Sequence, residues 1–364
     1  MEAYQLHTLI GLLRERGYCC VGPTVRDGAI VYDRIAGPTD LPVGWTDEQA
    51  PGSYRLKRRD DGAYFGYVVG PHSWKKYVFP PERRLWQLKR AGQQFERVDE
   101  PSQTPKYAFI GVRACEIAAL RIQDRVFTGG EFTEPEYEAR RELAFVVAVN
   151  CTQSADTCFC VSMKTGPEVK SGYDLALTEV VGESHYFTIR AGTDRGREVL
   201  ASLKTSAVNE AQRSAANTRV RQAAESQTRT VDTEGIKELL QRNYESEQWK
   251  EVAERCLSCA NCTMACPTCF CSSVEDVADL TGEHAERWRR WDSCFNPEFS
   301  YIHGGEVRKT TASRYRQWMT HKLSTWFDQF GSSGCVGCGR CITWCPVGID
   351  LTEEVRKMRA GETS

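Results

Sequence analysis

The sequence predicts an α+β fold, in which an N-terminal domain of mixed strands and helices is followed by a cysteine-rich, all-helical domain. The first half contains two strand-like apolar runs on either side of a helix-forming segment. In the last third, apolar residues recur at helical spacing and cysteines are concentrated. A length of 364 residues is enough for two domains, each with a core of its own.

The N-terminal domain, predicted to span residues 1–191, is expected to contain a parallel strand–helix–strand unit. Lys106–Val112 and Leu143–Val149 are apolar runs with the length of buried strands. A good helix former begins at Ala114, between them. Strand, helix and strand in this order are typical of a parallel pair. The first 18 residues predict an amphipathic helix and lack the features of a signal peptide.

Residues 192–235 predict a charged helical linker, because they are rich in Ala, Arg, Glu and Gln and contain few large apolar residues. The C-terminal domain is predicted to span residues 236–364. Ser272 and Glu275 form a potential capping box, which predicts that a helix begins there. Apolar and aromatic residues between Tyr315 and Phe330 follow helical spacing, and this pattern indicates core packing.

Composition limits the class of protein. The formal net charge of −2 gives no basic field for nucleic acid, and the longest apolar run, Ala144–Val149, is too short to span a bilayer. The cytoplasm is therefore the expected compartment. Thiols stay reduced there, so 17 cysteines in clustered positions favour metal or cluster ligation over disulfides.

Two cysteine runs have the same spacing. The first consists of Cys256, Cys259, Cys262 and Cys266, followed by Pro267, and the second of Cys335, Cys338, Cys341 and Cys345, followed by Pro346. In two-cluster ferredoxins, three cysteines of a run bind one cluster and the fourth binds the other. The predicted ligands of one 4Fe–4S cluster are therefore Cys256, Cys259, Cys262 and Cys345. Those of the second are Cys335, Cys338, Cys341 and Cys266. Zinc is the alternative, but it favours two separated pairs of cysteines.

The two runs differ in their glycines. Gly337 and Gly339 interrupt the second run, where the first has Ser258 and Ala260. Glycine lets backbone amides approach sulfur closely, which tunes the reduction potential, so we expect the two clusters to differ in potential.

Four upstream cysteines suggest a third 4Fe–4S cluster. Cys115 follows the first predicted strand and Cys151 the second, while Cys158 and Cys160 lie on the next loop. Parallel neighbouring strands would place all four at the same carboxyl edge of the sheet. The alternative is that these are separate buried cysteines, which behave as small apolar residues.

Other features of the sequence indicate no catalytic site. It has no glycine-rich nucleotide motif after a strand, no P-loop and no HExxH.

Basic and aromatic residues are interleaved between 287 and 322. This composition suits the binding of single-stranded nucleic acid or, alternatively, charge compensation near an anionic cluster. Cys19 and Cys20 are expected to be buried. Cys269, Cys271 and Cys294 have no ligand set that explains them.

The chain resembles the β subunit of cytoplasmic nickel–iron hydrogenases of the sulfhydrogenase type. The similar segments are GPHSWKKYVFPP, GVRACEIAAL, CTQSADTCFCVSMKTGP, GYDLALTEV, RWRRWDSCFNPEFSYIHGGEVR and RYRQWMTHKLSTWFDQFGSSGCVGCGRCITWCPVGID. The resemblance implies an iron–sulfur electron-transfer subunit with no catalytic site of its own. It implies three partners: a flavin and NAD(P)-binding subunit, a nickel–iron catalytic subunit, and a small iron–sulfur subunit. The corresponding iron–sulfur component of anaerobic sulfite reductase is similar to the same family and remains the alternative.

Overall fold

The computed structural model describes residues 1–98 and 104–362. Residues 99–103 of the predicted N-terminal domain and 363–364 of the predicted C-terminal domain lie outside these ranges. The strands are Cys19–Arg26 (β1), Ala29–Arg34 (β2), Trp45–Ala50 (β3), Ser53–Arg58 (β4), Glu82–Ala91 (β5), Gln94–Arg97 (β6), Tyr107–Val112 (β7), Phe145–Val149 (β8), Leu175–Val180 (β9), Tyr186–Ala191 (β10), Ser272–Ala278 (β11), His284–Trp291 (β12), Tyr301–Ile302 (β13) and Gly305–Glu306 (β14).

The α-helices are Leu6–Glu15 (α1), Lys75–Val78 (α2), Ala114–Thr128 (α3), Pro135–Leu143 (α4), Asp194–Ala201 (α5), Glu210–Glu225 (α6), Ile236–Arg242 (α7), Gln248–Arg255 (α8), Asn261–Met264 (α9), Thr311–Thr320 (α10), Trp326–Phe330 (α11), Arg340–Thr343 (α12) and Leu351–Glu362 (α13). Among the residues described, none of these helices has both the length and the apolar character needed to cross a membrane.

A six-stranded sheet organises the N-terminal half, in the order β10–β9–β8–β7–β1–β2. The inner strands β9, β8, β7 and β1 are parallel, and the two edge strands are antiparallel to their neighbours. The predicted strand–helix–strand unit is present as β7, α3 and β8, with α4 inserted before the return. Because β7 and β8 are parallel, the residues that follow them lie at the same edge of the sheet.

Helices cover both faces of this sheet. Leu9 and Leu13 of α1 pack on one face with residues of β7 and β8, and Ile117 and Leu120 of α3 pack on the other. Burial on both faces explains why β7 and β8 are apolar at every position instead of alternating.

The prediction of an all-helical C-terminal domain is wrong for residues 272–291. Ser272 and Glu275 belong to strand β11, which pairs with β12 in a four-stranded sheet of order β11–β12–β5–β6. Asp276 lies opposite Arg287 in this hairpin and forms an ion pair with it. Cross-strand pairing therefore overrides a weak local capping signal. Since β5 and β6 come from the N-terminal half, the two predicted domains share this sheet.

The predicted linker contains α5 and α6, and both helices pack against the first half of the chain. Val199 of α5 is buried in the same core as α1, and Ala216 and Ala223 of α6 are buried as well.

The aromatic stripe near the C-terminus forms a nearly continuous helix, as its spacing predicts. Helix α10 runs into a π-helical segment, His321–Thr325, and then into α11. Gly331 ends it with a left-handed φ of 68°. π-helical turns widen a helix locally and occur frequently at functional sites. Here the widened turn carries the buried Lys322.

Candidate iron–sulfur centres

The two cysteine runs have the same backbone conformation. Left-handed φ angles occur at equivalent positions, at Ser258 (51°) and Ala260 (65°) in the first run and at Gly337 (66°) and Gly339 (75°) in the second. A one-turn helix follows at once, α9 in the first run and α12 in the second. The repeat in sequence is therefore also a repeat in three dimensions, as two equivalent cluster-binding loops require.

Backbone amides approach the sulfurs equally closely in both runs. The Ser258 N–H donates to Cys256 Sγ at 3.4 Å, and the Gly337 N–H donates to Cys335 Sγ at 3.4 Å. Glycine therefore brings its amide no closer to sulfur than serine does. The expected difference in reduction potential between the two clusters stays a prediction.

The four thiols predicted to hold the first cluster line one cavity. Its wall includes Cys256, Cys259, Cys262 and Cys345, together with aromatic side chains such as Trp318. The Cys256 thiol interacts electrostatically with those of Cys345 and Cys259. The structure therefore brings the last cysteine of the second run to the first three cysteines of the first run.

The thiols predicted to hold the second cluster are also neighbours. The Cys341 thiol interacts electrostatically with those of Cys335, Cys338 and Cys266. Burial raises the pKa of the Cys335 thiol to about 12. Because iron binds thiolates, loading this group of thiols must release protons.

The four upstream cysteines come together as a third group. Cys115 lies in the first turn of α3, directly after β7, and Cys151 directly follows β8. The Cys115 thiol interacts electrostatically with those of Cys160 and Cys151, and so does the Cys158 thiol. Burial raises the pKa of the Cys160 thiol to about 12. The parallel strands thus place these four thiols where the sequence predicts them.

The three groups of thiols follow one another through the protein. Cys338 of the second group interacts electrostatically with three thiols of the third, those of Cys115, Cys158 and Cys160. Cys341 of the second group lines the cavity of the first. The second group therefore lies between the other two.

Close packing between the third and second groups explains the glycines of the second run. The Phe159 N–H donates to Gly337 O at 2.9 Å. A Cβ atom on Gly337 would lie 2.6 Å from Phe159 O, and one on Gly339 would lie 2.4 Å from Thr157 O. Such distances are too short for a side chain. The glycines therefore allow residues 157–160 to pack directly against the second run. The sequence pattern alone did not indicate this role.

A buried ion pair joins the third group to the second. Glu116 of α3 pairs with Arg340 of α12, and neither side chain is more than 1% exposed. The Glu116 carboxylate also accepts hydrogen bonds from the Tyr32 hydroxyl and the Trp74 indole N–H, each at 2.9 Å. Cys115 directly precedes Glu116 and Cys341 directly follows Arg340, so the ion pair fixes these two cysteines relative to each other. No sequence pattern indicates this pair, because the two residues are 224 positions apart.

Five cysteines lie outside these groups. Cys20 is buried in the core between α1 and the sheet, as expected, whereas Cys19 is only half-buried. Cys269, Cys271 and Cys294 lie together beside Cys266, an arrangement that their spacing did not indicate.

Within the described ranges, no three His, Cys, Asp or Glu side chains are arranged to hold a single metal ion. The two ferredoxin-type groups of thiols are also not arranged around a single ion. In a cubane, each thiolate binds a different iron, so its ligands lie farther apart than those around one ion.

Comparison with known proteins agrees with this geometry. Residues 255–349, which include both cysteine runs, match the family model of a 4Fe-4S dicluster domain. The β subunit of sulfhydrogenase 2 from Pyrococcus furiosus is 30% identical over 290 residues, which cover 79% of this chain and 83% of the relative. No solved structure matches the chain. The chain therefore belongs to the family of sulfhydrogenase β subunits.

Proposed function

We propose that this chain is the iron–sulfur electron-transfer subunit of a heteromeric, cytoplasmic nickel–iron hydrogenase. It would relay electrons from or to a flavin and NAD(P)-binding subunit, with another acceptor or donor at the far end of the relay. The observation that carries the proposal is the crosswise grouping of thiols, in which Cys345 joins the first run and Cys266 the second. Two-cluster ferredoxins bind their clusters in this way.

The three thiol groups form a path with two ends. At one end, Cys259 of the first group is exposed. At the other, a Cβ atom on Gly166 would lie 3.0 Å from Cys160 Sγ, and Gly166 lines an open cleft of about 980 Å³. A 4Fe–4S cluster takes up and releases one electron at a time. Electrons would therefore enter near one end of the path and leave near the other.

The protein would tune these centres through burial and nearby donors. The thiols of Cys115, Cys158 and Cys338 are buried, which keeps water away from sulfur. The Lys322 ammonium donates to Cys266 Sγ at 3.2 Å, and backbone amides donate to Cys256 and Cys335. Donors and cations near sulfur stabilise the reduced, more negative form of a cluster, and so raise its reduction potential.

The proposed partners are the flavin and NAD(P)-binding subunit, the nickel–iron catalytic subunit, and a small iron–sulfur subunit. Two observations support this assembly: the relative is by name one subunit of a sulfhydrogenase, and the sequence of this chain has no catalytic motif.

Anaerobic purification of the native complex through this chain tests the proposal. We expect nickel in the complex and both iron and acid-labile sulfide in this chain. The two ferredoxin-type clusters require about eight irons, and each further cluster adds about four. Sirohaem without nickel would assign the chain to an anaerobic sulfite reductase. Stoichiometric zinc without sulfide would exclude electron transfer altogether.

A further inference from the structure

Three cysteines outside the three thiol groups meet at one buried place. Cys269 and Cys271 immediately precede β11, and Cys294 follows β12. The first residue of β11 is paired with the last residue of β12, so this hairpin brings its two ends together. The Asp292 N–H donates to Cys271 O at 2.8 Å and closes the base of the hairpin. The hairpin thus joins cysteines that are distant in sequence.

The thiols contact one another and Cys266. The Cys269 thiol lies beside that of Cys266, and the Cys271 thiol lies beside that of Cys294. Cys269 and Cys271 also interact electrostatically. The three thiols therefore form one group at the base of the hairpin.

Two buried lysines face these thiols. Lys75 is 3% exposed and Lys322 is 5% exposed. Lys75 Nζ donates to Cys269 O at 3.0 Å and lies 3.8 Å from the ring centre of Trp291. Lys322 Nζ donates to Cys266 Sγ at 3.2 Å. Neither ammonium group is thus directed toward solvent: Lys322 contacts a sulfur, and Lys75 contacts the backbone of Cys269.

These lysines have cysteines as their strongest anionic partners. For Lys75 they are Cys269, Cys266 and Cys271, and for Lys322 they are Cys266, Cys269 and Cys335. Among the residues that the structure describes, neither lysine has a carboxylate within ion-pair distance. Buried charges in proteins are paired or bind metals, because an isolated one is costly. A cluster bound through Cys266 would balance the Lys322 ammonium, whereas the strongest anionic partner of Lys75 is Cys269, so a further anionic group at Cys269 would balance Lys75.

We propose that Cys269, Cys271 and Cys294 bind an additional iron–sulfur cluster through three thiolates, with Lys75 and Lys322 balancing its negative charge. Three thiolates leave one corner of a cubane without cysteine, so the cluster is either 4Fe–4S with a different ligand on one iron or 3Fe–4S. The cluster adjoins the second ferredoxin-type group through Cys266. This inference rests on the proposed function and extends it, because the additional cluster would give the electron relay a side branch.

Two other uses of these cysteines fit the structure less well. A structural zinc site would need a fourth protein ligand, and the neighbouring thiol, Cys266, already belongs to the second group. A disulfide between Cys271 and Cys294 would leave Cys269 as the one member of this group able to carry negative charge toward the lysines.

Iron, acid-labile sulfide and zinc analysis of the anaerobically loaded full-length chain tests the proposal. Cys294→Ser should lose about three to four irons relative to the wild type, whereas Cys20→Ser, a buried cysteine in another core, should lose none. In the oxidised wild type, an EPR signal would indicate the three-iron form and its absence the four-iron form. Equal iron content in Cys294→Ser and the wild type, stoichiometric zinc, or a disulfide between Cys271 and Cys294 would overturn the proposal.

Lys75→Gln provides a readout that does not depend on removing a thiol. It should make the midpoint potential of the cluster that Cys294→Ser loses more negative, because the buried cation that stabilises the reduced form of that cluster is lost. Unchanged potentials would count against the proposal. If the wild type holds its other clusters and Cys294→Ser contains as much iron as the wild type, only this inference is contradicted. A wild type without iron and sulfide contradicts the proposed function itself.

Discussion

Gly339→Ala should destabilise the protein, because the added methyl group meets the main chain of the third group. Gly339 has a φ of 75°, a conformation that costs alanine about 1–2 kcal/mol. Its Cβ would lie 2.4 Å from Thr157 O, a backbone atom that cannot rotate away. Relieving this overlap adds about 1–3 kcal/mol. The total expected loss is therefore about 2–5 kcal/mol.

Thermal unfolding of the anaerobic, cluster-loaded chain measures this loss. For a large domain, 1 kcal/mol corresponds to about 2 °C, so the Tm of Gly339→Ala should fall by about 4–10 °C. Cluster proteins often unfold irreversibly, so all variants must be compared at one scan rate. Iron content gives a second readout, because displacing Thr157 also displaces Cys158, a proposed ligand of the third cluster.

Ala260→Gly is the matched control, since Ala260 has the equivalent left-handed conformation in the first run, with φ of 65°. Removing its methyl group relieves backbone strain and loses a little packing, so the change should stay within about 1 kcal/mol. A wild-type Tm for Gly339→Ala, or an equal fall for Ala260→Gly, would refute the packing explanation of the glycines.

Three further predictions follow from the site and its surroundings. Replacing Cys158 and Cys160 by serine should remove about four irons per chain; unchanged iron would exclude the third cluster. Arg340→Met leaves the Glu116 carboxylate buried without its cation and should cost about 3–5 kcal/mol, as measured by Tm. Adding Glu116→Gln should recover part of that loss, and no recovery would argue against the pairing. Burial lowers the pKa of His72 and His321 below 6.5, so the unfolded chain binds more protons than the folded one. The contribution of these histidines to the free energy of unfolding should therefore be fully present above this pH and decrease below it. A Tm that rises toward pH 5 would contradict this.

The features predicted correctly depend on local patterns. The length and composition of the apolar runs predict β7 and β8, and the helix between them predicts that these strands pair in parallel. This pairing in turn places Cys115 and Cys151 at one edge of the sheet. The fixed spacing of the two cysteine runs likewise indicates their crosswise grouping.

The features missed depend on contacts between distant segments. The strands β11 and β12 exist because they pair with each other and with β5, a partner that no local pattern identifies. The same hairpin brings Cys294 to Cys271, so the place of the leftover cysteines could not be derived from spacing. Lys75 was also missed, since its burial against thiols depends on the packing of α2.

Hydrogen-dependent reduction of this chain's clusters tests the central claim most directly. The native complex is exposed to hydrogen and its EPR spectrum is compared with that of the dithionite-reduced complex. The proposed relay predicts that hydrogen alone produces the signals of reduced 4Fe–4S clusters, and that Cys345→Ser and Cys266→Ser each remove one of them. Clusters that remain oxidised under hydrogen but are reduced by dithionite would contradict a role in hydrogenase electron transfer.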